Sequence, residues 1–186
     1  MDQTILDRLD QCRKQLIDAT QNPQNSWKLF TLSNVSSDGL PSSRYVVLRD
    51  ASFDDKVQIV FFTDNRSQKV DDLIDKPAVS LCFFDRETGI QLVLKGQAQL
   101  DNQNEVSKAY WDKTSWHSLK CYYMKDKPND ALHAPFILDS NEITEEEAYQ
   151  HFTVVTCTIS AGDLLHLTKT GNERIIFNTE NGKFTE

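Results

Sequence analysis

The sequence predicts a mainly β fold with flanking helices, in which six or seven mostly antiparallel strands form a barrel or a sandwich. Short apolar runs separated by turn residues recur along the chain, as in sheets built from hairpins. The segment 90–100 alternates apolar and polar residues with one lapse, which indicates a half-buried strand. The first twenty residues instead repeat apolar residues at helical spacing.

Composition is that of an ordinary globular protein, with 39% hydrophobic and 26% charged residues. The formal net charge of -8 argues against a nucleic-acid-binding surface, because such surfaces are normally basic. The sequence contains neither the roughly 18 consecutive apolar residues of a membrane helix nor an apolar secretion segment. The four cysteines form no CxxC pair, so we expect free thiols and no metal site. We therefore expect one cytoplasmic domain over residues 1–186 with no membrane partner.

The first half of the chain is predicted to be a helix followed by strands. The helix covers about residues 2–21 and ends at Asn22-Pro23. Strands at 27–32 and 43–49 flank a turn-rich stretch and form a predicted hairpin. Aromatic and β-branched residues then predict a third strand at 57–63.

The second half alternates strands and helices. Its predicted elements are a short helix from 65–67 onward, strands at 78–84 and 90–100, a helix at 102–123, a loop at 125–139, a short helix at 144–152, strands at 153–159 and 164–169, and a closing hairpin. The helix at 144–152 is indicated by Thr144 and Glu147, which have capping-box spacing.

The segment RYVVLRD at 44–50 is the first candidate binding segment. Alternate residues of a strand share a face, so Arg44 and Arg49 are predicted on opposite faces. An apolar strand with an arginine at each end favours an anionic ligand. Arginines at strand ends also extend into water without any ligand, which is the competing interpretation.

The segment FFTDNRSQK at 61–69 is the second candidate. A strand is predicted to end at Thr63 and a helix to begin a few residues later. Free N–H groups at the helix start, beside the Ser67 hydroxyl and the Lys69 amine, favour an anion site. Ordinary capping of the helix by Asn65 or Ser67 is the alternative. The segment lacks the glycines of a P-loop or of a dinucleotide fingerprint.

Gln91 is the third candidate, because it opens the polar face of the strand at 90–100. The apolar residues of this strand face the core, so its opposite face is available to other molecules. Gln91 is therefore placed to meet a ligand, a partner subunit or solvent.

Together the three segments resemble the pyridoxamine 5′-phosphate oxidase-like family of FMN-binding split barrels, over roughly residues 26–115. The resemblance implies a split β-barrel and a homodimer with FMN at the subunit interface. It implies that Arg44 lies near the flavin phosphate, Arg49 reaches the isoalloxazine ring, and Gln91 contacts the flavin held by the other subunit. The implied cofactor-binding residues are Arg44, Tyr45, Val46, Val47, Leu48, Arg49, Phe62, Thr63, Ser67, Gln68, Lys69, Gln91 and Arg174.

The chain departs from the biosynthetic oxidases at several positions. Gln68 replaces the arginine of a Ser-Arg-Lys phosphate clamp. Tyr110 and Ser118 keep the spacing of the family's substrate-phosphate site, but Thr114 stands where an arginine is expected. The loss of an arginine removes charge-assisted bonds worth about 1.5–3 kcal/mol each. We therefore do not expect pyridoxine phosphate as substrate, and the segment 110–123 is more similar to a branch of the family with unsettled substrates.

The resulting functional hypothesis is an FMN-dependent oxidoreductase that acts on a small molecule. No catalytic residue is assigned, because the isoalloxazine ring itself carries out hydride chemistry. The alternatives are a non-catalytic flavin carrier or sensor, an interaction module, and a haem-binding barrel. A haem would call for an axial histidine, for which His117 and His166 are the test positions.

Overall fold

Nine strands form one antiparallel sheet in the computed structural model, which describes residues 3–128 and 143–185. The elements are α1 Gln3–Gln21, β1 Leu29–Val35, β2 Pro41–Val47, β3 Asp50–Phe53, β4 Val57–Asp64, α2 Gln68–Asp75, β5 Ala78–Asp85, β6 Ile90–Asn102, α3 Glu105–Lys113, α4 Trp116–Leu119, α5 Glu145–His151, β7 Phe152–Thr168, β8 Gly171–Glu180 and β9 Lys183–Thr185. Short 3₁₀ turns occupy Ser26–Lys28 and Lys120–Tyr123. No helix among these residues is long and apolar enough to cross a membrane.

The sheet curves because its two edges are joined by a very short connection. The strand order is β2-β1-β5-β6-β7-β4-β3, and β8 and β9 extend from β7. Only Leu48 and Arg49 separate the edge strands β2 and β3. The Arg49 amide donates to the carbonyl of Val60 on β4, 2.9 Å away, so the β2 end of the sheet is drawn against the β3–β4 end.

Two apolar clusters hold the helices against the sheet. The inner cluster fills the interior of the curved sheet. It includes the aromatic side chains of Phe30, Phe61 and Phe83 and the buried residues of α1. The second cluster lies on the outer face of β4 and the start of β7, where the rings of Trp111 and Tyr122 cover it. Burial of these apolar surfaces is the main favourable contribution to folding. The helical layer thus covers one part of the sheet's outer surface.

Another part of the outer surface exposes large apolar side chains. We call it the exposed sheet face, and define it by Leu29 on β1, Tyr45 on β2, Phe84 on β5 and Ile176 on β8. Their exposed fractions are 55%, 77%, 48% and 71%. The strand register carries a continuous row from Tyr45 across β1, β5, β6 and β7 to Ile176, so these side chains share one face.

The predicted class, mainly antiparallel strands with flanking helices, is confirmed, but the strand count and two boundaries differ. The described chain has nine strands rather than six or seven. The strand β3 was not predicted, and the predicted strands at 153–159 and 164–169 are one strand, β7. It continues through polar residues because its first half pairs with β4 and its second half with β8.

The predicted helix at 102–123 is also interrupted. The strand β6 extends to Asn102, and α3 begins after Asn104, which forms a capping box with Ser107. Thr114 adopts an extended conformation and donates its hydroxyl to the carbonyl of Tyr110, and Ser115 occupies the N-cap position of α4. Residues that compete for backbone hydrogen bonds therefore divide the segment into two helices. Most of the predicted loop at 125–139 lies outside the described residues.

Candidate functional site

The first arginine of the RYVVLRD segment points inward from β2. Arg44 is half-buried, and its guanidinium donates to the side chains of Asn34 and Ser42. Its neighbour Tyr45 points outward onto the exposed sheet face, as the strand alternation predicts. Leu48 is fully buried in the inner cluster, so any contact between this residue and a ligand would involve its backbone.

The predicted anion segment at 61–69 forms a compact group of donors at the junction of β4 and α2. The Lys69 Nζ lies 2.8 Å from the Thr63 hydroxyl and 3.0 Å from the Ser67 hydroxyl. Ser67 stands at the N-cap of α2, yet its side chain makes no capping hydrogen bond. We refer to Arg44, Thr63, Ser67 and Lys69 as the cationic cradle. The competing interpretation was capping of the helix by Asn65 or Ser67. It is wrong for the Ser67 side chain, and Asn65 lies two residues before the N-cap position.

The cradle places two positive charges close together. Burial lowers the pKa of Lys69, and the positive charge of Arg44 lowers it further. Burial also lowers the pKa of Arg44, against the opposing effect of Asp72. Within the described part of the chain neither cation forms an ion pair. Asp64 opposes the lowering of the pKa for Lys69. Partly buried cations that form no ion pair are stabilised by binding an anion, so the cradle is a candidate anion site.

Gln68 and Asp72 complete the surroundings of the cradle. Gln68 lies in the predicted clamp, but its amide nitrogen lies 3.4 Å from a carboxylate oxygen of Asp72. Asp72 is buried and also accepts from the side chain of Asn34 and the backbone of Ser37. A carboxylate this close to Arg44 limits how much negative charge the cradle can take. Asp72 was not predicted to contribute, because its position in the sequence is typical of a solvent-facing helix residue.

The second arginine, Arg49, lines a separate cavity of about 370 Å³ between the sheet and α3–α4. We call this cavity the basic pocket and define it by the cations Lys28, Arg49 and Lys113 and the rings of Phe62 and Tyr110. Hydroxyl groups, including that of Ser118, form much of the remaining wall, and none of the described lining residues is acidic.

Arg49 is held in the basic pocket by weak and polar contacts. Its Nη1 donates to the Ser118 hydroxyl at 3.0 Å, and its guanidinium carbon lies 5.3 Å from the centre of the Phe62 ring. The Nε atom is buried and has no hydrogen-bond partner in the described part of the chain. A buried donor without a partner costs about 1–3 kcal/mol, so Arg49 retains unused capacity to bind an acceptor.

Gln91 and Arg174 lie away from the cradle within one chain. The register pairs Gln91 with Leu165 and Leu165 with Arg174, so both predicted residues lie on the side of the sheet that carries the exposed sheet face. Arg174 is exposed and donates to both carboxylate oxygens of Asp163. One chain therefore assembles the predicted residues around positions 44 and 63–69 but not Gln91 or Arg174.

Two members of the basic pocket, Lys28 and Lys113, were not predicted from the sequence. Lys28 lies between the buried Trp27 and the apolar start of β1, and a charge at such a position was the available signal. Lys113 lies next to Thr114, which stands where the family resemblance led us to expect an arginine. Neither residue belongs to a recognisable motif.

The histidines that were test positions for haem are differently placed. The Nδ1 of His166 lies 2.8 Å from Arg8 Nη1, and His166 also lies beside Glu173. His117 is exposed on α4.

Comparison with known sequences identifies one family. The family described as "Pyridoxamine 5'-phosphate oxidase, FMN-binding domain" matches residues 10–102. The pyridoxine/pyridoxamine 5′-phosphate oxidase of Acidothermus cellulolyticus is 35% identical over 104 residues, which are 56% of this chain and 45% of that protein. The oxidase of the same name from Wolbachia pipientis is 30% identical over 103 residues, which cover 52% and 46% of the two chains. The aligned part spans about half the length of these curated relatives.

Solved structures share the fold at low sequence identity. A pyridoxamine 5′-phosphate oxidase-related, FMN-binding protein from Nostoc punctiforme superimposes with a TM-score of 0.71 at 18% identity, covering 93% of this chain and 92% of the other. PhzG from Burkholderia lata, solved in complex with tetrahydrophenazine-1-carboxylic acid, gives a TM-score of 0.60 at 19% identity, with coverages of 98% and 88%. These likenesses confirm the predicted split-barrel class.

Proposed function

This chain belongs to the pyridoxamine 5′-phosphate oxidase FMN-binding domain family, and we propose that it binds FMN and acts as an FMN-dependent oxidoreductase on a small molecule. The observation that carries the proposal is the cationic cradle, in which Arg44 and Lys69 lie together and neither forms an ion pair with any described residue. The cradle lies within the residues that match the family.

The donor set of the cradle fits a phosphate. A phosphate monoester carries between one and two negative charges near neutral pH and offers three strong acceptor oxygens. The ammonium of Lys69 and the guanidinium of Arg44 supply charge-assisted donors, and the Thr63 and Ser67 hydroxyls supply neutral ones. Bound FMN would bring hydride-transfer chemistry to this site.

Arg49 connects the cofactor to the basic pocket. A cation beside the flavin ring favours its reduced, anionic form and so influences its reduction potential. Arg49 was predicted next to the ring, and it also lines the basic pocket. We infer that the substrate enters this pocket, with the Phe62 ring forming one wall.

We further propose a homodimer that forms through the exposed sheet face, with FMN at the subunit interface. Several large apolar side chains exposed on one face favour a protein–protein contact surface. Gln91 and Arg174 lie on the same side of the sheet and away from the cradle of their own chain. In a two-fold dimer this side faces the partner, so Gln91 would contact the flavin bound by the other subunit.

Titration of the purified protein with FMN tests cofactor binding. We expect a saturable change in the visible flavin bands and weaker binding of riboflavin, because riboflavin has no phosphate for the cradle. A protein that leaves the flavin spectrum unchanged would contradict the proposal. A Soret band in the purified protein would instead support the haem alternative, and FMN binding without turnover of any reductant would support a carrier.

The pH dependence of FMN affinity tests the role of Lys69. The pKa of Lys69 is lowered in the free protein, and a bound phosphate favours the protonated amine. FMN affinity should therefore be retained below the free-protein pKa and fall as the pH rises through it, beginning below the ordinary lysine range. In the Lys69→Arg variant, calorimetric titrations across this pH range should no longer show the loss of FMN affinity that is caused by deprotonation of Lys69. An unchanged profile in Lys69→Arg would contradict the assignment.

A further inference from the structure

The basic pocket concentrates positive charge on a protein whose formal net charge is -8. Within the described residues, none of Lys28, Arg49 and Lys113 forms an ion pair. Other cations of this chain are paired, as Lys108 is with Asp112. A group of three unpaired cations without a lining carboxylate is a site of positive potential and attracts anions.

Lys28 is the most informative of the three. Its Nζ donates to the carbonyl of Thr20 near the end of α1 at 2.6 Å, and its other two N–H donors have no hydrogen-bond partner among the described residues. Burial lowers the pKa of Lys28, and the nearby charge of Arg49 lowers it further. A cap for α1 does not require a second cation, so capping alone does not explain why Lys28 and Arg49 are adjacent.

Lys113 extends the positive charge along an aromatic wall. Its Nζ lies 3.9 Å from the centre of the Tyr110 ring, and the Tyr110 ring lies 5.4 Å from that of Phe62. Arg49 lies over Phe62 in turn. The two rings therefore lie side by side between two cations, and the Tyr110 hydroxyl donates to Asp50 at 2.8 Å. Such a wall suits a planar, partly apolar ligand with an oxyanion at one end.

We propose that Lys28 and Lys113, together with Arg49, determine substrate specificity by binding an oxyanion of a planar substrate in the basic pocket. This inference deepens the proposed function, on which it rests for the identity of the ligand as substrate. The charge comes from two lysines outside the signature segments, while Thr114 holds the position where an arginine was expected. Lys28 and Lys113 would therefore contact the anion from other positions in the chain than an arginine at position 114 would.

The test measures the binding of simple probes to the FMN-loaded protein by calorimetry. Benzoate and phenyl phosphate carry a carboxylate and a phosphate on a planar ring, and benzamide is a neutral match for benzoate. We expect at least one anion to bind about tenfold or more tightly than benzamide, since one charge-assisted contact has about that effect. The stronger of the two anions then identifies the oxyanion class.

Variants assign the binding to the lysines. Lys113→Met and the double variant Lys28→Met/Lys113→Met should weaken binding of the preferred anion by about tenfold or more. Benzamide and FMN should bind as they do to the unmodified protein. Lys108→Met on the same helix removes the same charge outside the pocket and should change nothing. Lys113 is exposed, so its replacement is not expected to disturb folding.

Two results would overturn the inference: no preference for either anion over benzamide, or the same anion affinity in Lys113→Met and the double variant as in the unmodified protein. Failure of the proposed function is distinguishable from both. If the protein does not bind FMN, the same titrations are made on the cofactor-free protein. If anion binding still depends on the two lysines, the anion site stands. Only its role in flavin chemistry is then excluded.

Discussion

Replacement of both Arg44 and Lys69 by methionine is expected to weaken FMN binding by about a hundredfold or more. Each charge-assisted hydrogen bond to the phosphate contributes about 1.5–3 kcal/mol, so the loss of two cations removes at least about 3 kcal/mol. About 1.4 kcal/mol corresponds to a tenfold change in affinity. Methionine keeps the apolar stem of each side chain, so the variant should still fold. Fluorescence titration with FMN measures the effect.

Riboflavin provides the control for this variant. It lacks the phosphate, so its affinity should be nearly the same in the variant and the unmodified protein. The double variant Lys56→Met/Arg86→Met removes the same charge from two exposed positions outside the cradle and should keep its FMN affinity. Equal losses for FMN and riboflavin would mean that Arg44 and Lys69 support the site as a whole. The phosphate assignment would then be wrong.

The substitution Ile176→Asp is expected to convert the proposed dimer into a monomer. Ile176 is 71% exposed on the exposed sheet face, and a two-fold contact would bury it once in each subunit. Burial of an isoleucine contributes about 1.5–3 kcal/mol, so two copies contribute at least about 3 kcal/mol. The dimer dissociation constant should therefore rise by about a hundredfold or more. Sedimentation velocity over a range of protein concentrations measures this change.

Ile74→Asp is a closely matched control, because Ile74 lies on α2 and is 69% exposed. It makes the same chemical change at the same exposure outside the exposed sheet face, and the protein should stay dimeric. The monomeric Ile176→Asp variant should also bind FMN more weakly, since Gln91 of the partner would be missing. If Ile176→Asp remains a dimer, another surface forms the contact. If the monomer binds FMN as tightly as the dimer, Gln91 does not act between subunits.

Some of the site could be predicted because it lies in short, continuous segments. Thr63, Ser67 and Lys69 fall within seven residues at a strand-to-helix junction, so local structure alone brings them together. Inward-facing Arg44 follows from strand alternation once the strand is recognised. The same local signals failed where long-range pairing decides the outcome, as in β7, which stays extended through polar residues because β4 and β8 both pair with it.

The sequence by itself determined the mainly β class, the N-terminal helix and the clustering of hydroxyl and amine donors in the 61–69 segment. Each of these depends on interactions between residues close together in the chain. Only the tertiary structure decided that Lys28, Arg49 and Lys113 line one cavity, and that Gln91 and Arg174 share a row on the outer surface. These residues are distant in sequence, and their proximity depends on the order in which strands pair and on the helices that pack over them.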